Sequence, residues 1–403
     1  MTSNNVELSK KKNIVRNIIF ITINIIFWSI LYYRIIVAKH LGDYFDHNNF
    51  SVWMMEGEFE TVYPGYQWIV GILYVITGIN VEYISVGVMT VFAVFSIYVT
   101  AALLNEILGK EKINKNSLLI FSFLLNVIQP IFTYSIRPGY SSGNGYISPT
   151  QALCKPFIIL VFLYTFRMYK ERKYSLDKQI ILFILLVVSC IIKPVFAMAF
   201  VPAMGMLYLT DELIYKSEIK EKIKSYIIKI WPLFLTGIVL IVQYLCSFNL
   251  KLPEGTGYSL NEGAGIKIGF LVSWSSVVSS VPLSILFAYF FPIILVATII
   301  LIKRKTGENI VTLEEKIFLK VSLYYGAISL LYMTFLYQEN HVVDCNFRNA
   351  WVVTFTTTFT LCISILYRFT RSRKISKVSL GLNWWAFSIH ILFGIALYIN
   401  NII

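Results

Sequence analysis

Charged residues are scarce in this chain. Asp, Glu, Lys and Arg make up 14% of its 403 residues, whereas a soluble domain averages about 25%. Apolar residues reach 57%, and the mean hydropathy is +0.68. A chain with so little charge cannot cover a water-facing surface of its own size. The composition therefore excludes an ordinary soluble domain and predicts an integral membrane protein.

Cysteine is also sparse, and its positions exclude two kinds of site. The five cysteines are Cys154, Cys190, Cys246, Cys345 and Cys362. Their number is odd, no two are spaced as Cys-x-x-Cys, and most lie within or beside apolar stretches. This pattern is neither a disulfide framework nor a zinc site.

Glycine-rich nucleotide-binding patterns of the Walker or Rossmann type are missing as well. The formal net charge is +13, which by itself would suit a nucleic acid partner. The cations, however, lie in short runs between apolar stretches, and no basic face is interleaved with stacking aromatics. We therefore expect no nucleic acid partner and no cofactor, and a divalent metal has no supporting motif.

Long apolar stretches are what the chain has in abundance, and roughly 20 helical residues suffice to cross a bilayer. Charged residues divide the chain into about eleven predicted spans. They are 17–37, 84–108, 117–135, 156–169, 179–192, 195–212, 226–246, 283–302, 317–336, 350–367 and 384–403. No small-residue cleavage site follows the first, so an uncleaved anchor is expected. The sequence thus predicts an all-α transmembrane helix bundle, with residues 1–403 as one integral membrane domain.

Lysine and arginine are distributed unevenly among the connecting loops. With residues 1–16 placed in the cytoplasm, 27 of the 35 fall on the inner side and 8 on the outer side. Cytoplasmic loops of membrane proteins are enriched in these residues, which predicts an inner N-terminus and an outer C-terminus. The Ile-, Lys- and Asn-rich composition favours a bacterial plasma membrane. Between two lysine-rich loops, residues 179–212 must cross twice or not at all, and a double crossing would turn at Lys193-Pro194.

The first predicted outer loop, residues 38–83, is the longest and the richest in ionisable groups. Asp43 opens it, and Asp46 and His47 follow at the next helical turn. If 46–56 is helical, Phe50, Trp53 and Met54 share one apolar face, which predicts a helix lying on the membrane.

After this helix, Tyr63-Pro64-Gly65 interrupts the chain, and the apolar segment 66–79 is too short to span comfortably. Both segments must then begin and end outside. We expect two juxtamembrane helices that hold carboxylates over the outer leaflet.

This loop resembles the first loop of the GT-C membrane glycosyltransferases. The resemblance consists of an Asp just after the first span, an aromatic stretch, Gly57, and then Tyr63-Pro64-Gly65-Tyr66-Gln67 before an apolar segment. Gly42-Asp43-Tyr44 stands where the family often has a pair of acidic residues, so either Asp43 or Asp46 could correspond to the base. The resemblance implies transfer of a sugar from a polyprenyl-phosphate-linked donor to a glycan or glycolipid acceptor on the outer face.

Such chemistry needs a carboxylate that takes the proton of the acceptor hydroxyl and cations that stabilise the departing phosphate. The candidate catalytic residues are Asp43 and Asp46. The candidate substrate-binding residues are His47, Tyr63, Arg137, Lys155, Lys193, Glu339, His341 and Arg348. For Asp43 the plainer interpretation is that it caps the juxtamembrane helix, and the histidines could be solvated interface residues.

Two other functions fit the same pattern of spans. A polymerase of capsule or O-antigen repeat units has a similar span count, but usually relies on large later outer loops. A polysaccharide or lipid transporter, or a flippase, would be expected to carry ionisable or helix-breaking features at mid-membrane depth. His390 in the last span and Lys193-Pro194 are the residues that would support that alternative.

Overall fold

The computed structural model of the chain describes residues 3–109, 111, 113–131, 148–214, 218–247, 266–275, 280–338, 347–372 and 375–402. The described helices are α1 (Ser3–Tyr33), α2 (Tyr44–Glu56), α3 (Gly65–Thr77), α4 (Val81–Leu108), α5 (Lys115–Val127), α6 (Pro149–Glu171), α7 (Leu176–Ile192), α8 (Val195–Ile214), α9 (Ile219–Cys246), α10 (Val272–Ser275), α11 (Val281–Ala288), α12 (Phe290–Thr306), α13 (Leu313–Phe335), α14 (Phe347–Phe369) and α15 (Lys377–Ile402). A π-helical turn, Arg34–Ala38, continues α1.

Eight helices in the described part of the chain are long and apolar enough to cross a membrane. They are α1 with its π-helical turn, α4, α6, α8, α9, α13, α14 and α15. The pair α11 and α12 passes only as one broken span, bent by 73°. The predicted spans 117–135 and 179–192 correspond to α5 and α7, which have 13 and 17 residues. The chain is therefore a multi-pass helical membrane protein, and the count of eleven crossings stays a prediction.

The all-α expectation has one small exception in the described residues. Strands β1 (Ile266–Ile268) and β2 (Leu336–Gln338) pair antiparallel, with Lys267 opposite Tyr337. The pair joins two predicted outer loops that are distant in sequence. Because three residues per strand give no usable hydrophobic alternation, the sequence pattern did not predict it.

The first predicted outer loop folds into the two expected helices, α2 and α3. Each ends at a glycine in the left-handed region, Gly57 with φ 79° and Gly78 with φ 65°. The two helices pack closely: a Cβ on Gly71 of α3 would lie 2.8 Å from the carbonyl oxygen of Ser51 in α2. We call the end of the bundle that carries α2 and α3 the outer end.

Helix α2 buries a different face from the one that the sequence pattern marked. Its buried residues are Tyr44, Asn48 and Ser51, whereas Phe50, Trp53 and Met54 are only partly buried. The polar face packs inward because α3 and α4 supply hydrogen-bond partners for it, and a single-sequence pattern contains no information about such partners.

The opposite end of the bundle, called the inner end, is joined by ion pairs between helices. Four acidic residues there bind cations from neighbouring helices: Glu106 pairs with Arg167 and Lys170, Asp211 with Lys320, Glu212 with Lys229, and Glu315 with Arg368. These residues lie at the ends of α4, α6, α8 and α14 and near the beginnings of α9 and α13. The inner end thus coincides with the side that the cation bias assigned to the cytoplasm.

The C-terminal ends of the first and last helices meet at the outer end. Lys39, just after the π-helical turn, donates its Nζ to the carbonyl oxygen of Asn400 at 3.0 Å. The end of α15 therefore lies on the same side of the bundle as the end of α1.

A buried histidine connects two interruptions in the helices. Helix α5 ends at Val127, before Gln129-Pro130, and α11 gives way to α12 at Tyr289. The Phe291 backbone N–H donates to His390 Nε2 at 3.4 Å, and His390 Nδ1 lies 2.8 Å from the carbonyl oxygen of Gln129. Since Nε2 accepts, Nδ1 carries the proton and donates. One fully buried imidazole thus satisfies backbone groups at both breaks.

Candidate functional site

The Tyr-Pro-Gly unit fixes the outer helices onto the turn between α7 and α8. Gly65 begins α3 against the end of α7, where a Cβ would come within 2.7 Å of Ile192 Cγ1 and 3.1 Å of the Ile191 carbonyl oxygen. Gln243 of α9 donates to the carbonyl oxygens of Val62 at 2.8 Å and Cys190 at 3.1 Å. Only glycine fits this close approach, so the unit sets the distance between the first loop and Lys193.

Lys193 lies between α7 and α8 and faces both α6 and the first loop. Its Nζ donates to Thr150 Oγ1 at 3.2 Å. Burial lowers the pKa of Lys193, while the nearby carboxylate of Asp43 and the thiol of Cys154 raise it. No ion pair joins Lys193 to Asp43, although their charges interact. The cation is thus held by a neutral hydroxyl, with a carboxylate in its vicinity.

Asp43 occupies the N-cap position of α2, and its carbonyl oxygen accepts the His47 N–H at 3.1 Å. The carboxylate makes no capping hydrogen bond to the helix, so the interpretation of this side chain as a cap is wrong. The residue is exposed. Asp46, in the first turn of α2, is partly buried. Of the two candidate bases, Asp43 is the one whose charge acts on Lys193.

His47 is held by a partner from the second outer helix. Gln67 Nε2 lies 2.8 Å from His47 Nδ1; because an amide nitrogen only donates, Nδ1 accepts and the proton resides on Nε2. Burial, together with a smaller effect of the Lys193 ammonium, lowers the pKa of His47 to about 3. At neutral pH the side chain is therefore a neutral imidazole with a defined tautomer, rather than a solvated interface histidine.

A buried hydrogen-bond network joins the helices that carry Asp43, His47 and Gln67 to α4. The Tyr66 hydroxyl donates to Asn48 Oδ1 at 2.8 Å and lies 2.5 Å from Ser85 Oγ, which joins α3 to α2 and α4. The Tyr66 ring also packs edge-on against the His47 ring, with centroids 5.7 Å apart. Burial raises the pKa of Tyr66, so it stays a neutral phenol. We call Asp43, His47, Gln67, Thr150 and Lys193 the outer polar cluster.

Lys155 lies elsewhere, although it is only five residues from Thr150. At 100° per residue, the two side chains point about 140° apart around α6. Lys155 lines a small cleft together with Trp28, Tyr32, Ala93, Ser96, Asn126, Ala152 and Tyr398. The two lysines that the sequence grouped together therefore face different surroundings.

The structure describes only some of the remaining candidate residues. Tyr63 is partly buried beside the Gly65 contact, and burial raises its pKa. Arg137, Glu339 and His341 lie outside the described residues. Arg348 is in the first turn of α14, and only its backbone is described. Among the described residues, no three His, Cys, Asp or Glu side chains gather as a metal site requires.

Sequence reasoning missed Gln67 and Thr150, because a search for ionisable groups passes over amides and hydroxyls. Gln67 lies within the Tyr63-Pro64-Gly65-Tyr66-Gln67 segment that carried the family resemblance, so a signal was present. Its Oε1 is buried and has no hydrogen-bond partner within the described residues. Most buried polar atoms in proteins have a hydrogen-bond partner, so a buried acceptor without one calls for an explanation.

The chain was compared with protein-family models and with curated proteins of known function. No family model matches it. No curated protein matches it either. Its functional interpretation therefore depends on the chemistry of the outer polar cluster.

Proposed function

We propose that this protein is a membrane glycosyltransferase acting at the outer face of a bacterial plasma membrane. It transfers a sugar from a polyprenyl-phosphate-linked donor to a cell-surface polysaccharide, a teichoic-acid-like polymer or a glycolipid. The single observation that carries the proposal is that the charge of Asp43 in the first loop acts on Lys193 in the α7–α8 turn, where the Gly65 contact brings these two segments together. This pairs an exposed carboxylate with an ammonium group at one end of the bundle.

The reaction uses the two charges for opposite tasks. The acceptor hydroxyl attacks the anomeric carbon of the donor sugar and loses its proton to the Asp43 carboxylate. The bond between that carbon and the phosphate oxygen breaks, and the phosphate leaves with the electron pair while Lys193 stabilises its charge. Asp43 then returns the proton to water. The lipid carries the donor through the membrane, so no nucleotide pocket is needed.

His47 contributes as a neutral donor. With Nδ1 occupied by Gln67, the Nε2–H group is available for a hydroxyl or phosphate oxygen of the substrate. Because its pKa is lowered to about 3, this imidazole does not compete with Asp43 as the proton acceptor in charged form. The Thr150 hydroxyl holds the Lys193 ammonium in position.

Mass spectrometry of surface glycans tests the proposal. A deletion strain is complemented with the wild type, Asp43→Asn or Asp46→Asn. Asp43→Asn should lower transfer by roughly 10²- to 10⁴-fold, the usual contribution of a general base, with the protein inserted in normal amount. Asp46→Asn is the matched control and should restore the glycan. Full glycan recovery with Asp43→Asn would overturn the proposal.

A lipid transporter or flippase is the second candidate, and one observation favours it. The broken pair α11 and α12, bent by 73°, meets the buried His390 inside the bundle, and transporters often use such interrupted helices. In reconstituted vesicles, a flippase would move a lipid-linked sugar between leaflets with Asp43→Asn but not with His390→Phe. For the glycosyltransferase, the measured activity is sugar transfer: Asp43→Asn should abolish it, whereas His390→Phe should leave it intact.

A further inference from the structure

Strand β1 and the residues that follow it present an apolar strip at the surface of the molecule. Ile266, Ile268 and Phe270 are 42%, 83% and 69% exposed. Successive side chains of a strand point to opposite faces, so the two isoleucines share one face and Lys267 lies on the other. Phe270 follows at the same spacing of two residues. We call Ile266, Ile268 and Phe270 the β1 strip.

The segment that carries the β1 strip is bonded to the end of helix α13. The Gly269 N–H donates to the carbonyl oxygen of Phe335 at 2.9 Å, and the Leu271 N–H donates to that of Thr334 at 2.7 Å. The last carbonyl groups of a helix have no partner within it. Because this segment supplies two of the missing donors, its position relative to α13 is fixed.

The same contacts give the depth of the β1 strip. Helix α13 has 23 residues, a length of about 35 Å, against about 30 Å for the hydrocarbon core of a bilayer. Since Glu315 in its first turn belongs to the inner end, its last turn lies at the outer interface. Ile268 is opposite Leu336, just after this turn, and Trp274 packs in one cluster with Met333. The segment therefore runs from the interface toward the membrane interior.

Helix α13 also carries an apolar surface that ends beside the β1 strip. Leu319, Leu323 and Leu331 are 39%, 60% and 49% exposed, and they lie along one side of a helix that is apolar enough to cross the membrane. Phe335 comes one turn after Leu331 and is 41% exposed. Its ring contacts that of Phe270, with centroids 5.7 Å apart. The β1 strip is thus continuous with the surface that α13 presents to lipid.

The sequence around the β1 strip is unlike that of a loop in water. Between Gly263 and Pro282, Lys267 is the only charged residue, whereas about a quarter of the residues of a soluble domain are charged. Exposed apolar side chains that lie together mark a contact with a membrane or with another protein. Continuity with the lipid-facing side of α13 favours the membrane.

We infer that the β1 strip inserts into the outer leaflet, at the boundary between headgroups and acyl chains. Its three side chains contact lipid, while the face of the strand that carries Lys267 is turned toward water. The strip thereby fixes the predicted outer loop 247–282 to the membrane surface. This role does not depend on the reaction proposed for Asp43.

Fluorescence of a single label on the full-length protein tests the inference. The protein is placed in phosphatidylcholine nanodiscs, which leave both sides of the bilayer open to solvent, and a nitrobenzoxadiazole label is attached to Ile268→Cys. Cys246→Ser removes an exposed thiol, Cys345→Ser removes a thiol outside the described residues, and the other three cysteines are buried. Because Ile268 is 83% exposed, its substitution removes little packing.

Two quenchers distinguish lipid from water around the label. A phosphatidylcholine spin-labelled along its acyl chain quenches from the lipid, and iodide quenches from the water. The spin-labelled lipid should quench Ile268→Cys at least about twofold more strongly than Glu58→Cys, because a segment of this kind lies about 5–10 Å into the boundary region. Iodide should show the opposite order. Phe270→Cys should behave as Ile268→Cys does.

The two controls represent the two surroundings. Glu58 is an exposed residue of the first outer loop, and Leu323→Cys places the label on the lipid-facing side of α13. Iodide quenching of Ile268→Cys as strong as that of Glu58→Cys would overturn the inference, because the strip would then face water. Shielding from both quenchers would also overturn it, because a second copy of the chain or another protein segment would then cover the strip.

Discussion

The two ends of the bundle use polar residues differently. At the inner end, each of the four acidic residues described above is bonded to lysine or arginine from another helix. At the outer end, the described contacts of the polar cluster are neutral ones, such as His47 with Gln67 and Lys193 with Thr150. The imidazole of His40 reaches Glu82 at 3.4 Å on the exposed rim. The charges of the inner end hold helices together, whereas at the outer end the charge of Asp43 acts on Lys193 with no described ion pair between the two.

The largest effect on stability is expected from Glu315 at the inner end. Its carboxylate accepts from Arg368 Nε at 3.1 Å and Nη2 at 2.5 Å and completes the capping box of α13 with Thr312. Glu315 is 1% exposed, so Glu315→Gln would leave Arg368 with an uncompensated buried charge. We expect a loss of about 3–5 kcal/mol, measured as thermal unfolding in detergent.

The double variant Glu315→Met/Arg368→Met is the control for that change. Because it removes both charges, it should recover most of the lost stability. An unchanged unfolding temperature for Glu315→Gln would break the contrast between the two ends, since the inner pair would then be dispensable.

A smaller effect is expected where the outer helices meet α7. Gly65→Ala places a Cβ 2.7 Å from Ile192 Cγ1 and 3.1 Å from the Ile191 carbonyl oxygen, and overpacking of this kind costs about 1–3 kcal/mol. Separating the first loop from Lys193 should also lower glycan transfer. Gly87→Ala in α4 is the control, because a Cβ at this position meets nothing within 4 Å. It should leave both stability and glycan transfer unchanged.

A pH-dependent effect is expected at His47. Its folded-state pKa is about 3, against a reference value of 6.5, so between these values the unfolded chain binds the proton and the folded chain does not. Stability should therefore be complete above pH 6.5 and decline as the pH falls toward 3. Thermal unfolding of His47→Asn between pH 7 and pH 4 should show a shallower decline than the wild type; parallel curves would contradict the buried, neutral imidazole.

The smallest effect is expected from an inner ion pair on the surface. Lys178 and Glu171 are bonded at 2.5 Å, but their side chains are 28% and 40% exposed. Pairs of this kind contribute about 0.2–1 kcal/mol. Lys178→Met should lower the unfolding temperature only slightly, and less at high salt. A loss as large as that of Glu315→Gln would show that burial does not decide the value of the inner pairs.

The sequence predicted long spans well and helix breaks poorly. Spans such as α4 and α13 follow from apolar runs bounded by charges, because each run alone is long enough to cross. The end of α5 precedes Gln129-Pro130, a local signal that the span prediction passed over. The bond between His390 and the backbone beyond the Tyr289 break joins residues distant in sequence, so no local pattern could reveal it. Within the predicted span 117–135, the described helix ends at Val127, and residues 132–135 lie outside the described part of the chain.

The residues of the candidate site were likewise predicted only in part. Asp43, His47 and Lys193 were found because loop position and charge are visible in a sequence. The separation of Lys155 from Lys193 could not be predicted. It depends on which side of α6 packs against α7 and which side packs against α1 and α15. The position of Gln67 in the Tyr63-Pro64-Gly65-Tyr66-Gln67 segment was visible in the sequence, but its bond to His47 was not.

His390 has a consequence for how the bundle can move. Its two ring nitrogens serve a carbonyl beyond α5 and an amide at the start of α12, and within a bilayer no water is at hand to replace either bond. A shift of one interrupted segment would leave the other without its partner. The two breaks are thus mechanically linked through one side chain, so a movement at one of them requires a movement at the other.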